Sequence, residues 1–145
     1  PQTEQAMDDI FIKLAGKEGD RAPILEVNHR PLPAICSAQG VLAVDFHTLC
    51  EEARSQLDYI ALSKLYHTVL LHNVHRMETR DENTARRFLA LVDEFYERRV
   101  KLIIAAEVSM FDIYCGERLK FEYQRCLSRL QEMQSEEYLS LPHLP

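Results

Sequence analysis

Glycine is scarce in this sequence, 4 residues in 145, and tryptophan is absent. Neither a G-x-x-x-x-G-K-[ST] loop nor a G-x-G-x-x-G turn occurs, and both need glycine so that backbone amides can close around phosphate. No G-x-S-x-G nucleophile elbow is present. The 4 cysteines, Cys36, Cys50, Cys115 and Cys126, form no C-x-x-C pair. Their wide spacing argues against zinc, and their apolar flanks argue for reduced, buried thiols in the cytosol. A basic surplus is also missing. With 23 acidic and 17 basic side chains the net charge is −6, which speaks against a free-standing binder of DNA or RNA. No apolar run approaches the roughly 20 residues that span a bilayer, and no signal peptide is recognisable, so a cytoplasmic chain is expected.

The remaining composition is that of a folded protein, with 46% hydrophobic and 28% charged residues. Apolar periodicity predicts a helix over Thr3–Leu14, with Thr3 as its N-cap, and Gly16 and Gly19 end it. Ile24–Val27 reads as a short strand, His29–Pro33 as a proline-bounded turn, and Ala34–Ser37 as the returning strand of an edge hairpin. From there strands and helices alternate. Apolar strands are expected at Val41–Phe46, Thr68–Val74 and Val100–Val108. Helices are expected at Ser55–Tyr66, Asp81–Arg99 and Arg118–Leu139. Strands apolar on both faces and separated by helices pair in parallel. The predicted fold is therefore α/β, a three-layer, mostly parallel sheet with helices on both faces. Residues 1–40 would form the N-terminal helix and edge hairpin, and residues 41–145 the α/β domain, joined in one compact unit. The chain opens at Pro1 and enters a helical pattern at once, as a piece of a longer protein would.

The run FLALVDEF in the Asp81 helix imitates a Walker B strand, four apolar residues followed by Asp93 and Glu94. Its flanks continue a 3.6-residue apolar stripe through Ala85, Phe88, Leu89, Val92, Phe95 and Tyr96, so both carboxylates are expected on a solvated helix face. Glu82–Arg86 and Glu94–Arg98 are spaced for i,i+4 ion pairs. In the closing helix Arg125 and Arg129 lie four apart on a shared face. They are read either as an ion-pair network with Glu122 and Glu132, or as a fork aimed at an anion such as phosphate. His72 and His75 point to opposite faces if both lie on a strand and lack a third ligand, so no metal is expected there. Asp45 and Glu107 end strands where α/β folds often place active-site carboxylates, and for Asp45 the structural role is to cap the next turn.

Three segments carry a resemblance. Ala85–Val108 (ARRFLALVDEFYERRVKLIIAAEV), Phe121–Leu139 (FEYQRCLSRLQEMQSEEYL) and Val44–Val74, the last including Arg54-Ser55 and Asp58-Tyr59, are similar to the C-terminal part of ZapE-type AAA ATPases. These are bacterial cell-division proteins with mitochondrial relatives. The resemblance covers about the last hundred residues, and Ala53, His75 and Ser109 depart from it at turns where that family favours proline. It implies a parent protein that binds ATP with magnesium and hydrolyses it, with the nucleotide site upstream of Pro1. This stretch would pack on the upstream ATPase core without being catalytic alone. The resemblance further implies the division ring and FtsZ as partners, is compatible with a homo-oligomer, and makes Arg125 and Arg129 the candidate phosphate contacts. The competing reading is a free-standing, non-catalytic α/β interaction module.

Overall fold

The computed structural model describes residues 2–145. The elements are α1 (Gln2–Ala15), β1 (Asp20–Arg21), β2 (Ile24–Val27), β3 (Arg30–Pro33), β4 (Cys36–Ala38), β5 (Val41–Asp45), α2 (Gln56–Leu65), β6 (Thr68–Val74), α3 (Glu82–Glu97), β7 (Lys101–Ala106), α4 (Lys120–Glu132) and α5 (Glu136–Ser140). Five strands form one sheet in the order β1-β4-β5-β6-β7, and β2 and β3 form a separate two-stranded sheet. The long strands β5, β6 and β7 are parallel, while β1 and β4 add antiparallel pairs at one side. The predicted α/β architecture, with its mostly parallel sheet and helices on both faces, is the one observed.

Alternation along the strands divides the interior in two. Leu42, Val44, Val69 and Leu71 face a large cluster with Tyr59, Phe88, Leu91 and Phe95, on the side covered by α2, α3 and α4. Val41, Ala43 and Leu70 face the other way, onto Met7 and Phe11 of α1. This period-2 division explains why β5 and β6 read as continuous apolar runs, since each face meets a helix layer.

The N-terminal hairpin differs from expectation. Asn28 and His29 form the two-residue turn, both with positive φ (53° and 65°), and β2 returns at once as β3. Tight hairpins favour such left-handed turns because they match strand twist. Pro31 and Pro33 lie opposite Glu26 and Ile24, alternating with the Val27–Arg30 and Leu25–Leu32 pairs. In an antiparallel ladder closed by such a turn these are the positions that need no N–H, so proline is tolerated. The segment expected to return as the second hairpin strand instead yields β4, which joins the main sheet against β5.

The closing helix is also shorter than predicted. It stops at Glu132, and Ser135 opens α5, its hydroxyl accepting the Tyr138 amide. Serine competes for backbone donors in this way and so favours caps over helix interiors. The break lets Tyr138 turn inward, where its hydroxyl donates toward the Phe95 carbonyl in the last turn of α3 and the Val100 carbonyl just before β7. At the other end of the chain Thr3 lies inside α1 instead of capping it, because the helix already includes Gln2.

Candidate functional site

Two groups of side chains carry the functional reading. One lies on α4. Arg129 ion-pairs with Asp93 of α3, and its guanidinium lies 5.1 Å from the centroid of the Tyr96 ring. The Tyr96 hydroxyl donates to Glu132 at 2.8 Å, and its ring stacks on Tyr138. The Glu132 carboxylate holds the Tyr96 proton and so raises its pKa above the ordinary phenol value. Arg125, one turn earlier, is exposed and makes no ion pair among the described residues. The structure therefore separates the two arginines. Arg129 is oriented by a carboxylate and an aromatic face, whereas Arg125 presents a free guanidinium.

The Walker-B-like run is helical throughout. Its carboxylates are half-exposed but engaged, Asp93 by Arg129 and Glu94 by the Gln56 side-chain amide at 2.7 Å. The Glu82–Arg86 pair forms at 3.2 Å. Arg98 instead turns its guanidinium toward the carbonyls of Leu144 and Pro145.

The second group gathers at the C-terminal ends of the parallel strands, where open α/β sheets commonly place ligands. Asp45 Oδ1 accepts the His47 amide at 2.9 Å and so fixes the π-helical turn His47–Glu51, the capping role expected of it. Its Oδ2 accepts from the Asn73 side-chain Nδ2 at 2.7 Å, which ties β5 to β6. Asn73 itself has φ 60°, a conformation that asparagine tolerates better than most residues. His75 Nε2 lies 3.0 Å from Glu51, and its ring packs edge-on against Phe46. Glu107 accepts the Arg76 amide at 3.0 Å. Asn73, His75 and Glu107 border a cleft of about 370 Å³. The polar atoms here are largely spent on one another, which makes the cluster a brace between strand ends. Asn73, Glu51 and His75 were not legible as a group because the register of β6 against β5 assembles them. Among the described residues no group of three or more His, Cys, Asp or Glu side chains is arranged to hold a metal ion.

His72 lies on β6, whereas His75 falls beyond its end at Val74, so strand alternation does not apply to the pair and their surroundings differ. His72 is buried, and burial lowers its pKa below the usual imidazole value, against the pull of Asp8, Asp45 and Glu4. At His75 burial pulls downward too, but the Arg76 carbonyl and Glu51 together outweigh it and the pKa is raised. A histidine raised in the fold stabilises below its unfolded pKa, and that contribution fades as pH rises through the folded value. Glu51→Gln is therefore expected to cost more stability at about pH 5.5 than at about pH 8.5, by less than about 1 kcal/mol because the pair is partly exposed. Urea denaturation at both pH values checks this, and an equal cost at both would contradict it.

Cys36, Cys50 and Cys126 are buried free thiols, as expected, whereas Cys115 is exposed. Its neighbourhood ends in the loop before α4, so flanking apolar residues were a poor guide there. Burial pushes Cys126 up to about 12 and Cys50 higher still, so neither is a reactive thiolate. Among the described residues no helix is long and apolar enough to cross a membrane.

In the motif pairs Arg54-Ser55 and Asp58-Tyr59, Asp58 and Tyr59 hold local structure, while the buried Arg54 guanidinium leaves Nε and Nη1 without a partner among the described residues. Arg54 donates to the Pro31 carbonyl, which the proline ladder leaves facing outward, at 2.6 Å. Asp58 accepts the Ser55 amide and the Asn28 side chain, both at 3.0 Å, closing the first turn of α2 onto the hairpin. The Tyr59 hydroxyl donates to the Leu49 carbonyl at 2.6 Å inside the core.

The chain is 59% identical over 143 residues to "Cell division protein ZapE" of Escherichia coli strain K12, which covers 99% of this chain and 38% of that protein. It is 24% identical over 172 residues to "Lactation elevated protein 1 homolog B" of Danio rerio, covering 95% of this chain and 34% of that one. The chain thus spans little more than a third of the length of these curated relatives. No solved structure matches it significantly. The family model for the AFG1-like ATPase matches residues 1–142, and the chain belongs to the AFG1-like ATPase family.

Proposed function

We propose that this chain is the C-terminal domain of a cytoplasmic, ATP-hydrolysing AAA-type protein linked to bacterial cell division, whose nucleotide site lies upstream of Pro1. The observation that carries this reading is the match at 59% identity to a cell-division protein of which the chain covers only 38%. The strand-to-helix connections support it. Phosphate cradles form at such connections, yet residues 46–55 and 75–81 contain no glycine and residues 107–119 contain only Gly116, too few for a glycine-rich loop. The residues present therefore do not fit ATP with magnesium by themselves, and no step of hydrolysis is assigned to them.

In this reading Arg125 and Arg129 reach the phosphates of a nucleotide held by the ATPase core, of the same or a neighbouring subunit. A planar guanidinium matches phosphate oxygens in bidentate fashion, and Asp93 and Tyr96 pre-orient Arg129 for such a contact. The division ring and FtsZ are the partners proposed for the full-length protein. Calorimetric titration of this chain with ATP and magnesium is expected to show no saturable binding tighter than about 100 μM, because no loop of amides closes around the phosphates. Tighter binding would place a nucleotide site within residues 1–145 and overturn the proposal.

A further inference from the structure

β7 is the last strand of the five-stranded sheet and is paired only with β6. Lys101 donates its amide to His67 and Glu107 donates its amide to Val74, so odd-numbered residues of this stretch bond inward to β6. The backbone groups of Leu102, Ile104 and Ala106 then face outward along an open edge. Every β7 residue is half-exposed. Proteins normally blunt such an edge with proline, a short strand or charges along it. β7 has six residues, no proline, and a charge only at Lys101. Beside it runs an apolar groove of about 210 Å³ lined by Leu102, Ile104, Val108, Met110, Leu130 and Met133.

The stretch Lys101–Glu107 (KLIIAAE) is complementary to itself when reversed. In an antiparallel pair of two copies centred on Ile104, Leu102 stands opposite Ala106 and Ile103 opposite Ala105. Lys101 of each copy stands opposite the exposed Glu107 of the other, whose Oε1 accepts the Arg76 amide and whose Oε2 has no partner among the described residues. Directly opposed residues share a face, so both Lys–Glu pairs form on the same side of the joined sheet. The outward-facing residues Leu102, Ile104 and Ala106 occupy the hydrogen-bonded positions of that register. We propose that β7 is a homotypic docking edge and that a second copy of this chain pairs with it across a two-fold axis, forming one continuous ten-stranded sheet. This goes beyond the nucleotide reading and does not depend on it.

Sedimentation velocity of the 145-residue chain over about 1–100 μM is expected to show a concentration-dependent species of twice the 16.9 kDa chain mass. Lys101→Glu places carboxylates opposite each other at both ends of the pairing and is expected to weaken the dimer at least tenfold. Adding Glu107→Lys to Lys101→Glu restores the opposite charges and the dimer. Glu107→Lys alone weakens it from the other end, which keeps the test intact if one single variant fails to fold. In the dimer the amides of Leu102, Ile104 and Ala106 are slow to exchange, and in the charge-blocked variant they are fast. A chain that stays monomeric over the whole range overturns the proposal. So does a dimer indifferent to both single variants. The same amides being protected in a monomeric full-length protein would mean that another segment covers the edge, which also overturns it.

Discussion

Replacing Arg125 by alanine in the full-length protein lowers ATP turnover at least tenfold while the melting temperature barely moves, if the α4 arginines touch phosphate as proposed. The expectation follows from exposure. Arg125 has no ion pair among the described residues, and substitutions at such surface positions usually change stability by less than about 0.5 kcal/mol. Arg129→Ala behaves differently. It removes the Asp93 pair and the Tyr96 contact, both partly exposed, so it lowers stability by about 1–2 kcal/mol in addition to slowing turnover. Lysine at either position keeps the charge but loses the planar fork, and a bidentate phosphate contact still suffers. Measuring turnover and thermal melting on the same samples separates the roles. If both alanine variants hydrolyse ATP at the normal rate, Arg129 serves only to hold α4 on α3 and Arg125 touches no phosphate.

Phe88→Ala is expected to destabilise the fold by about 3–5 kcal/mol, the cost of emptying a fully buried aromatic site. Phe88 is 0% exposed, and its ring meets Phe46 at 6.0 Å in an edge-on arrangement. Phe46 in turn supports His75, so the void opens beneath the strand-end brace as well as beneath α3. Domains of this size are stable by roughly 5–15 kcal/mol in total, so the variant stands close to unfolding at room temperature. Urea denaturation monitored by circular dichroism checks this. A loss below about 1 kcal/mol would mean that the larger cluster is not where the stability of the fold resides.

The strands β5 and β6 and the helix α3 were legible because one simple rule governed each. Buried parallel strands read as unbroken apolar runs, and α3 carries an apolar stripe that Gly and Pro never interrupt. The hairpin was less legible. Pro31 and Pro33 read as a turn, but the alternating ladder leaves their positions free of N–H bonds, a fact visible only once the register is known. The helix break at Ser135 was hidden because the capping hydroxyl outweighs a helical pattern that continues on paper. For the candidate site, the spacing of Arg125 and Arg129 placed them on one face, and no more. It could not separate their roles, because Asp93 and Tyr96 reach Arg129 from another helix 36 and 33 positions earlier in the sequence. Interactions across such distances depend on packing, and periodicity carries no information about them.

The sheet divides the buried side chains unequally, and this sets an order of loss under stress. Among the described residues only six buried apolar side chains lie in the cluster with α1, and Ile12 and Leu14 of that helix remain exposed. The larger cluster is sealed on the opposite face and shares no wall with α1. The helix can therefore detach while the remainder stays native, as a separate cooperative unit of lower opening free energy. Such a unit exchanges its amides and admits proteases well before global unfolding. Its departure would bare Val41, Ala43 and Leu70 on the sheet while leaving the α3–α4 contact, and Arg129 within it, undisturbed.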